Sequence, residues 1–198
     1  MSRKRVAILI SGRGSNMAAL IAAAQDQDYP ADIVLVVSNR ADAQGLVRAH
    51  EAGIATETVD HKTFGKDREA FDRALNTILQ AHRIDIVCLA GFMRLLTPWF
   101  VERWHGRLIN IHPSLLPAFK GLHTHARALA EGATQHGATV HFVVPELDSG
   151  PIIAQESVAV EPGDTARTLA ARVLEAEHRI YPLALRRVAE AESKNPRR

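Results

Sequence analysis

Runs of consecutive apolar residues at positions 6–10, 33–37 and 86–90, the last within a strand read over 85–90, carry no polar alternation, which is the pattern of strands buried on both faces. Between and after them, apolar side chains recur at helical spacing instead. Met17, Leu20, Ile21 and Ala24 form one stripe; Phe71, Leu75, Ile78 and Leu79 form another within a helix over about 66–82; Leu169, Val173, Ala176 and Ile180 form a third. Local signals bound the remaining elements. A short helix over 43–52 stops at Gly53, a C-cap residue, and a brief strand follows at 56–59. Thr97-Pro98 opens a short helix, with threonine as N-cap and proline at the first position, and another helix covers about 123–131. Residues 138–144 read as a strand with a hairpin partner at 151–160 and a turn at 161–163. Asp164 or Thr165 caps the last long helix, which Pro182 kinks or divides. Alternating strands and helices predict an α/β fold: a single-domain, doubly wound, mostly parallel, Rossmann-like sheet with helices on both faces, to which the hairpin adds an antiparallel strand. One domain over 1–190 and a basic tail over 191–198 account for the whole chain.

Polar residues interrupt this pattern where chemistry is expected. Leu108, Ile109 and Ile111 make a short buried strand that Pro113 ends, since proline cannot donate to a sheet ladder. Asn110 and His112 are two apart, so they leave that strand on one face. Asp148 follows the apolar run 138–144 in a loop closed by Ser149-Gly150-Pro151. If the two strands are neighbours, a carboxylate, an imidazole and a carboxamide converge. A carboxylate beside a histidine favours the imidazolium and fixes its orientation, and an asparagine NH2 suits a developing oxyanion. The set fits acyl transfer without a covalent nucleophile. Ser114 has no Gly-x-Ser-x-Gly elbow around it and is read as structural.

The first strand runs into Ser11-Gly12-Arg13-Gly14-Ser15-Asn16 and then a helix. Backbone N–H groups at such a helix start, with Ser15 and Asn16, form a phosphate cradle; a plain glycine turn capped by serine or asparagine is the competing reading. The dinucleotide fingerprint lacks its third glycine, at Met17, and its acidic residue, where Asn39 and Arg40 stand; Walker's Gly-Lys-Ser/Thr is absent. A single phosphate on a small substrate fits better.

The stretches Asn110-Ile-His112-Pro-Ser-Leu-Leu-Pro117, Gly121-Leu-His123-Thr-His125 and Asp148-Ser-Gly-Pro151 resemble the phosphoribosylglycinamide formyltransferase family, the folate-dependent enzymes of purine synthesis. The resemblance covers nearly the whole chain, about residues 6–182. It implies that 10-formyltetrahydrofolate gives its formyl group to the amine of 5-phosphoribosylglycinamide, with Asn110, His112 and Asp148 catalytic. Gly14, Ser15 and Asn16 are expected to hold the ribose phosphate and Glu177 the substrate amine. Met93, Arg94, Leu95 and Leu96 are expected to line the pterin pocket, Arg68 to meet the folate, and Val144, Pro145, Glu146 and Leu147, with Asp148 and Asn110, to complete that side. From the residues alone, Arg68 and Glu177 read as solvated helical charges, and 92–96 reads equally well as core packing under a loop. Formyltetrahydrofolate hydrolase and methionyl-tRNA formyltransferase resemble the same core. The first usually adds an N-terminal regulatory domain and the second an RNA-binding C-terminal domain, for which 198 residues leave no room. A non-catalytic phosphometabolite-binding module is the remaining alternative, and it requires none of Asn110, His112 and Asp148.

Composition narrows the partners. Basic residues number 24 and acidic 22, scattered along the chain, and aromatics are only 5%, so a nucleic-acid surface is not expected. No run approaches a membrane span, and the apolar start is read as a first strand rather than a signal peptide. The lone Cys88 excludes an intrachain disulfide and sits in an apolar run as a small hydrophobe, consistent with a cytoplasmic chain. His123, His125, His136 and His141 repeat no known ligand spacing, so no metal is expected. The choice between monomer and homodimer stays open.

Overall fold

In the computed structural model, which describes residues 3–194, seven strands form one sheet in the order β3-β2-β1-β4-β5-β6-β7. The strands are β1 (Lys4–Ile10), β2 (Ala31–Ser38), β3 (Ala55–Thr58), β4 (Ile86–Leu89), β5 (Leu108–His112), β6 (Gln135–Phe142) and β7 (Ile152–Ala159). The helices are α1 (Ser15–Ala24), α2 (Gln44–Glu51), α3 (Arg68–Ala81), α4 (Pro98–Arg103), α5 (Thr124–Ala130) and α6 (Ala166–Lys194). β3, β2, β1, β4 and β5 are mutually parallel, and β6 runs antiparallel to both β5 and β7. The hairpin thus contributes a single reversed strand, because β7 turns back to the common direction.

Two apolar layers explain the uninterrupted strand sequences. Val6, Ile8 and Ile10 pack on one side with Met17 and Leu20 of α1 and Leu169, Val173 and Tyr181 of α6. Ala7 and Leu9 face the other side with Phe71, Leu75 and Leu79 of α3 and Phe100 of α4. Each of those fully buried aliphatic side chains contributes about 1.5–3 kcal/mol of transfer free energy, which an alternating strand would forgo on one face.

Several boundaries differ from the sequence pattern. The N-cap of α1 is Gly14 in the left-handed region, with no side-chain cap from Ser15 or Asn16. Thr97 and Pro98 open α4 as expected, and Thr165 caps α6 by accepting from the Thr168 N–H. β6 begins at Gln135 because 135–138 pair with β7, although Gln135 and His136 carry no strand-like hydropathy. Pro182 does not divide α6; the Tyr29 hydroxyl donates to its carbonyl at 2.7 Å. The helix continues to Lys194, so 191–194 of the expected tail are helical, and 195–198 lie outside the described residues.

Candidate active site

β5 places Asn110 and His112 on the same side, and antiparallel pairing sets His141 of β6 directly opposite Asn110. The Asn110 amide nitrogen lies 3.2 Å from His141 Nε2, while His141 Nδ1 lies 2.9 Å from the Phe142 carbonyl. A carbonyl only accepts, so Nδ1 carries a proton, and Nε2 of the neutral ring accepts from Asn110. One amide hydrogen of Asn110 remains. Burial holds the His141 imidazole below its ordinary value, partly offset by the Phe142 carbonyl and by Asp148.

His112 is similarly committed at both nitrogens. Nε2 donates to the Phe119 carbonyl at 2.9 Å, and Nδ1 faces Asp148 Oδ2 at 3.5 Å. The ring is thus held between a carbonyl on one edge and a carboxylate on the other. Asp148 Oδ1 lies 3.8 Å from His141 Nε2, and the Gly121 N–H donates to Oδ2 at 2.8 Å. The Asp148 and His112 side chains are 9% and 7% exposed, so this contact is poorly screened by water.

The delivery of Asp148 follows from loop geometry. β6 ends at Phe142, level with Ile109, yet Asp148 reaches His112 three residues further along β5, so the intervening loop folds back. Gly150 permits this: a Cβ there would sit 1.8 Å from the Phe142 carbonyl oxygen. Asp148 itself has φ 47°, and Phe119 and His123 have φ 54° and 57°. Non-glycine residues in that region cost free energy, least for Asp, and here they gather where the two loops meet. Lys120 joins the same loops by donating to Ser149 Oγ at 2.6 Å. Ser114 is fully buried and donates to the Ala118 carbonyl, a structural role.

The glycine loop is set by close packing. The Gly45 N–H donates to the Gly12 carbonyl, and a Cβ on Gly14 would fall 3.2 Å from Gly45 Cα. Asn16, one residue into α1, donates to Glu177 Oε2 of α6 at 2.7 Å, and its own Oδ1 is buried without a partner. Glu177 is therefore buried rather than solvated, and burial raises its carboxyl, partly offset by Asn16. Arg68 is not a free helical charge either: it donates to the Leu95 carbonyl at 2.8 Å. Met93, Leu95 and Leu147 are large apolar side chains left exposed, Met93 at 69%. Leu96 and Phe92 instead pack against the core on the α3 side, so the stretch divides between core and surface.

A cleft of about 530 Å³ opens at the carboxyl ends of β1, β2 and β4, lined by Ser11, Gly12, Asn39, Arg40, His61, Gly91, Met93 and Arg94. It touches both the glycine loop and the 93–96 loop, and lies where the strand order reverses, the usual ligand position in an open α/β sheet. Asn39, Arg40 and His61 carried no motif that singled them out, and neither did the role of His141 beside Asn110; cross-strand register was the missing signal. Among the described residues no cluster of His, Cys, Asp and Glu is arranged to hold a metal ion, and no helix is long and apolar enough to cross a membrane.

Known proteins share this arrangement of elements. Residues 4–185 match the family model described as formyl transferase. The phosphoribosylglycinamide formyltransferase of Escherichia coli is 50% identical over 91% of this chain and 84% of its own length. The human trifunctional purine biosynthetic protein adenosine-3 is 51% identical over 94% of this chain but only 18% of its own, so the chain spans less than a fifth of such multifunctional relatives. The crystal structure of phosphoribosylglycinamide formyltransferase from Brucella melitensis superposes with a TM-score of 0.91 at 55% identity, covering 95% of this chain and 96% of that one. With the family model spanning nearly all of the sheet and both sides of the site, the chain belongs to the formyl transferase family.

Proposed function

We propose that the protein transfers the formyl group of 10-formyltetrahydrofolate to the amine of 5-phosphoribosylglycinamide, a step of purine synthesis, in the cytoplasm. The observation that carries this reading is the buried contact of Asp148 with His112, beside Asn110, on strands that also bring the glycine loop and the exposed 93–96 loop to one end of the sheet. The acceptor amine attacks the formyl carbon directly, and the charge that develops on the formyl oxygen meets the free amide hydrogen of Asn110 and the His112 imidazolium; the intermediate then collapses by breaking the bond to the folate nitrogen, which leaves with the proton given up by the amine, passed on through water or His112. Asp148 holds that imidazolium in place. The Phe119 carbonyl occupies His112 Nε2 in this structure, so Nε2–H reaches the oxyanion only when that hydrogen bond is exchanged for it. Charge stabilisation by fixed donors and alignment of two bound substrates supply most of the acceleration.

Gly14, Ser15 and Asn16 take the ribose phosphate through N–H groups at the start of α1, and Glu177 lies one hydrogen bond behind them. Met93, Leu95 and Leu147 provide apolar surface for the pterin, with Arg68 fixing the loop that carries two of them. Val144, Pro145 and Glu146 lead the chain from β6 to Asp148 on the same side.

The deciding experiment follows deformylation of a 10-formyl folate by absorbance, with and without phosphoribosylglycinamide. Deformylation that depends on the glycinamide is the expected result. Deformylation without it assigns the hydrolase instead, and no release of the formyl group under either condition leaves a binding module or a different acyl donor.

A further inference from the structure

We infer that Asp72 is a positioning residue for the formyl donor: it clamps the 92–97 loop to α3 in a ligand-ready shape. This rests on the reading of that loop as the folate side of the site. Asp72 is 1% exposed, and its Oδ2 accepts from both the backbone N–H and the hydroxyl of Thr97, each at 2.6 Å. A buried carboxylate needs such partners, and these are strong, charge-assisted bonds.

Two neighbouring residues of α3 grip the same loop. Arg68, one turn before Asp72, donates to the Leu95 carbonyl at 2.8 Å. Phe71 lies under the Arg94 guanidinium at 4.3 Å and stacks on Phe92 with centroids 6.4 Å apart. From the other side, the Met93 N–H donates to Ser11 Oγ at 2.8 Å, tying the loop to the end of β1. Burial raises the Asp72 carboxyl, partly offset by the Thr97 bonds and by Arg94 and Arg68.

The consequence is that Met93 and Leu95 stand in solvent on a loop whose backbone is already fixed. An unrestrained loop would lose backbone freedom each time a ligand bound, at about 1–2 kcal/mol per residue ordered. Fixing it in the folded protein removes that cost from binding. Asp72 does this from the core, without touching either substrate.

The test uses the full-length enzyme and compares Asp72→Asn, Thr97→Val and Thr97→Ser. In Asp72→Asn the weaker, uncharged acceptor raises KM for the 10-formyl donor about tenfold, leaves kcat within about twofold and leaves KM for phosphoribosylglycinamide unchanged. Thr97→Ser keeps the hydroxyl and behaves as the parent, whereas Thr97→Val raises donor KM less than Asp72→Asn does. The double variant is non-additive in donor KM. Hydrogen exchange at the 93–97 amides is faster in Asp72→Asn without ligand. A fall in kcat at constant donor KM, an equal rise in both KM values, or unchanged exchange would overturn the assignment. If Asp72→Asn does not fold, the Thr97 pair decides the matter. If the parent enzyme releases no formyl group, the transferase reading fails, and the exchange experiment still tests the clamp.

Discussion

Asn16 and Glu177, 161 residues apart in sequence, share a buried hydrogen bond of 2.7 Å that joins the start of α1 to the middle of α6. Burial raises the Glu177 carboxyl above its ordinary 4.5, so the folded protein holds this proton more tightly than the unfolded chain does. The stability this group contributes is fully present below pH 4.5 and is lost as pH rises through the raised value. Glu177→Gln keeps an oxygen for Asn16 but does not titrate. Its melting temperature gains on that of the parent as pH rises from 4.5 towards neutrality, by about 2–4 °C for each kcal/mol. Thermal melts of both proteins across that range check the direction. If the proposed function holds, the same variant is expected to raise KM for phosphoribosylglycinamide about tenfold, from one weakened hydrogen bond.

Asp148→Asn removes the charge that favours a His112 imidazolium while leaving an oxygen for the Gly121 N–H. Turnover is expected to fall roughly 10²-fold or more at neutral pH, the scale of losing an oxyanion donor, with little change in melting temperature. Steady-state kinetics beside a thermal melt measure both. Full turnover in the folded variant would remove Asp148 from the mechanism.

Gly150→Ala forces a Cβ against the Phe142 carbonyl oxygen, where backbone rather than a flexible side chain must shift. The expected cost is about 1–3 kcal/mol of stability, with a larger loss of activity because the displaced segment carries Asp148. Urea denaturation and kcat report the two effects separately. A variant as active as the parent would mean that the loop reaches His112 by another path.

His136 is fully buried on β6 near the Pro113 backbone, and its ring stands 5.2 Å from that of His125. Burial, with His125 and His112 nearby and partly offset by the Pro113 backbone, holds the imidazole down at about 4, against an ordinary 6.5. The unfolded chain takes this proton first, so the stability contribution is present above pH 6.5 and is lost as pH falls from there towards 4. His136→Phe, which keeps an aromatic ring against Phe119, flattens the acid side of the stability profile between those values. Denaturation midpoints measured through that interval show the change of slope.

Hydrophobic order along the chain determined the alternating elements and the doubly wound sheet. Runs such as 6–10 satisfy two apolar layers at once, as strands of a parallel sheet covered on both faces must. Proline and glycine marked where α4 opens and where the first turn lies, because their backbone limits act locally. The Asn110, His112 and Asp148 set was legible for a related reason: polar groups at the end of a buried strand and in a Gly-Pro loop break the surrounding pattern. Register was not legible. Which residue of β6 faces Asn110, how the 143–150 loop folds back to His112, and that Phe119 caps the imidazole all depend on pairing between distant segments. Burial was equally hidden for Glu177 and Asp72, since helical spacing cannot say what another element lays over a carboxylate. Those positions acquire their shifted protonation from neighbours that only the packed structure supplies, and so the tertiary fold, not the local sequence, decided how the site is tuned.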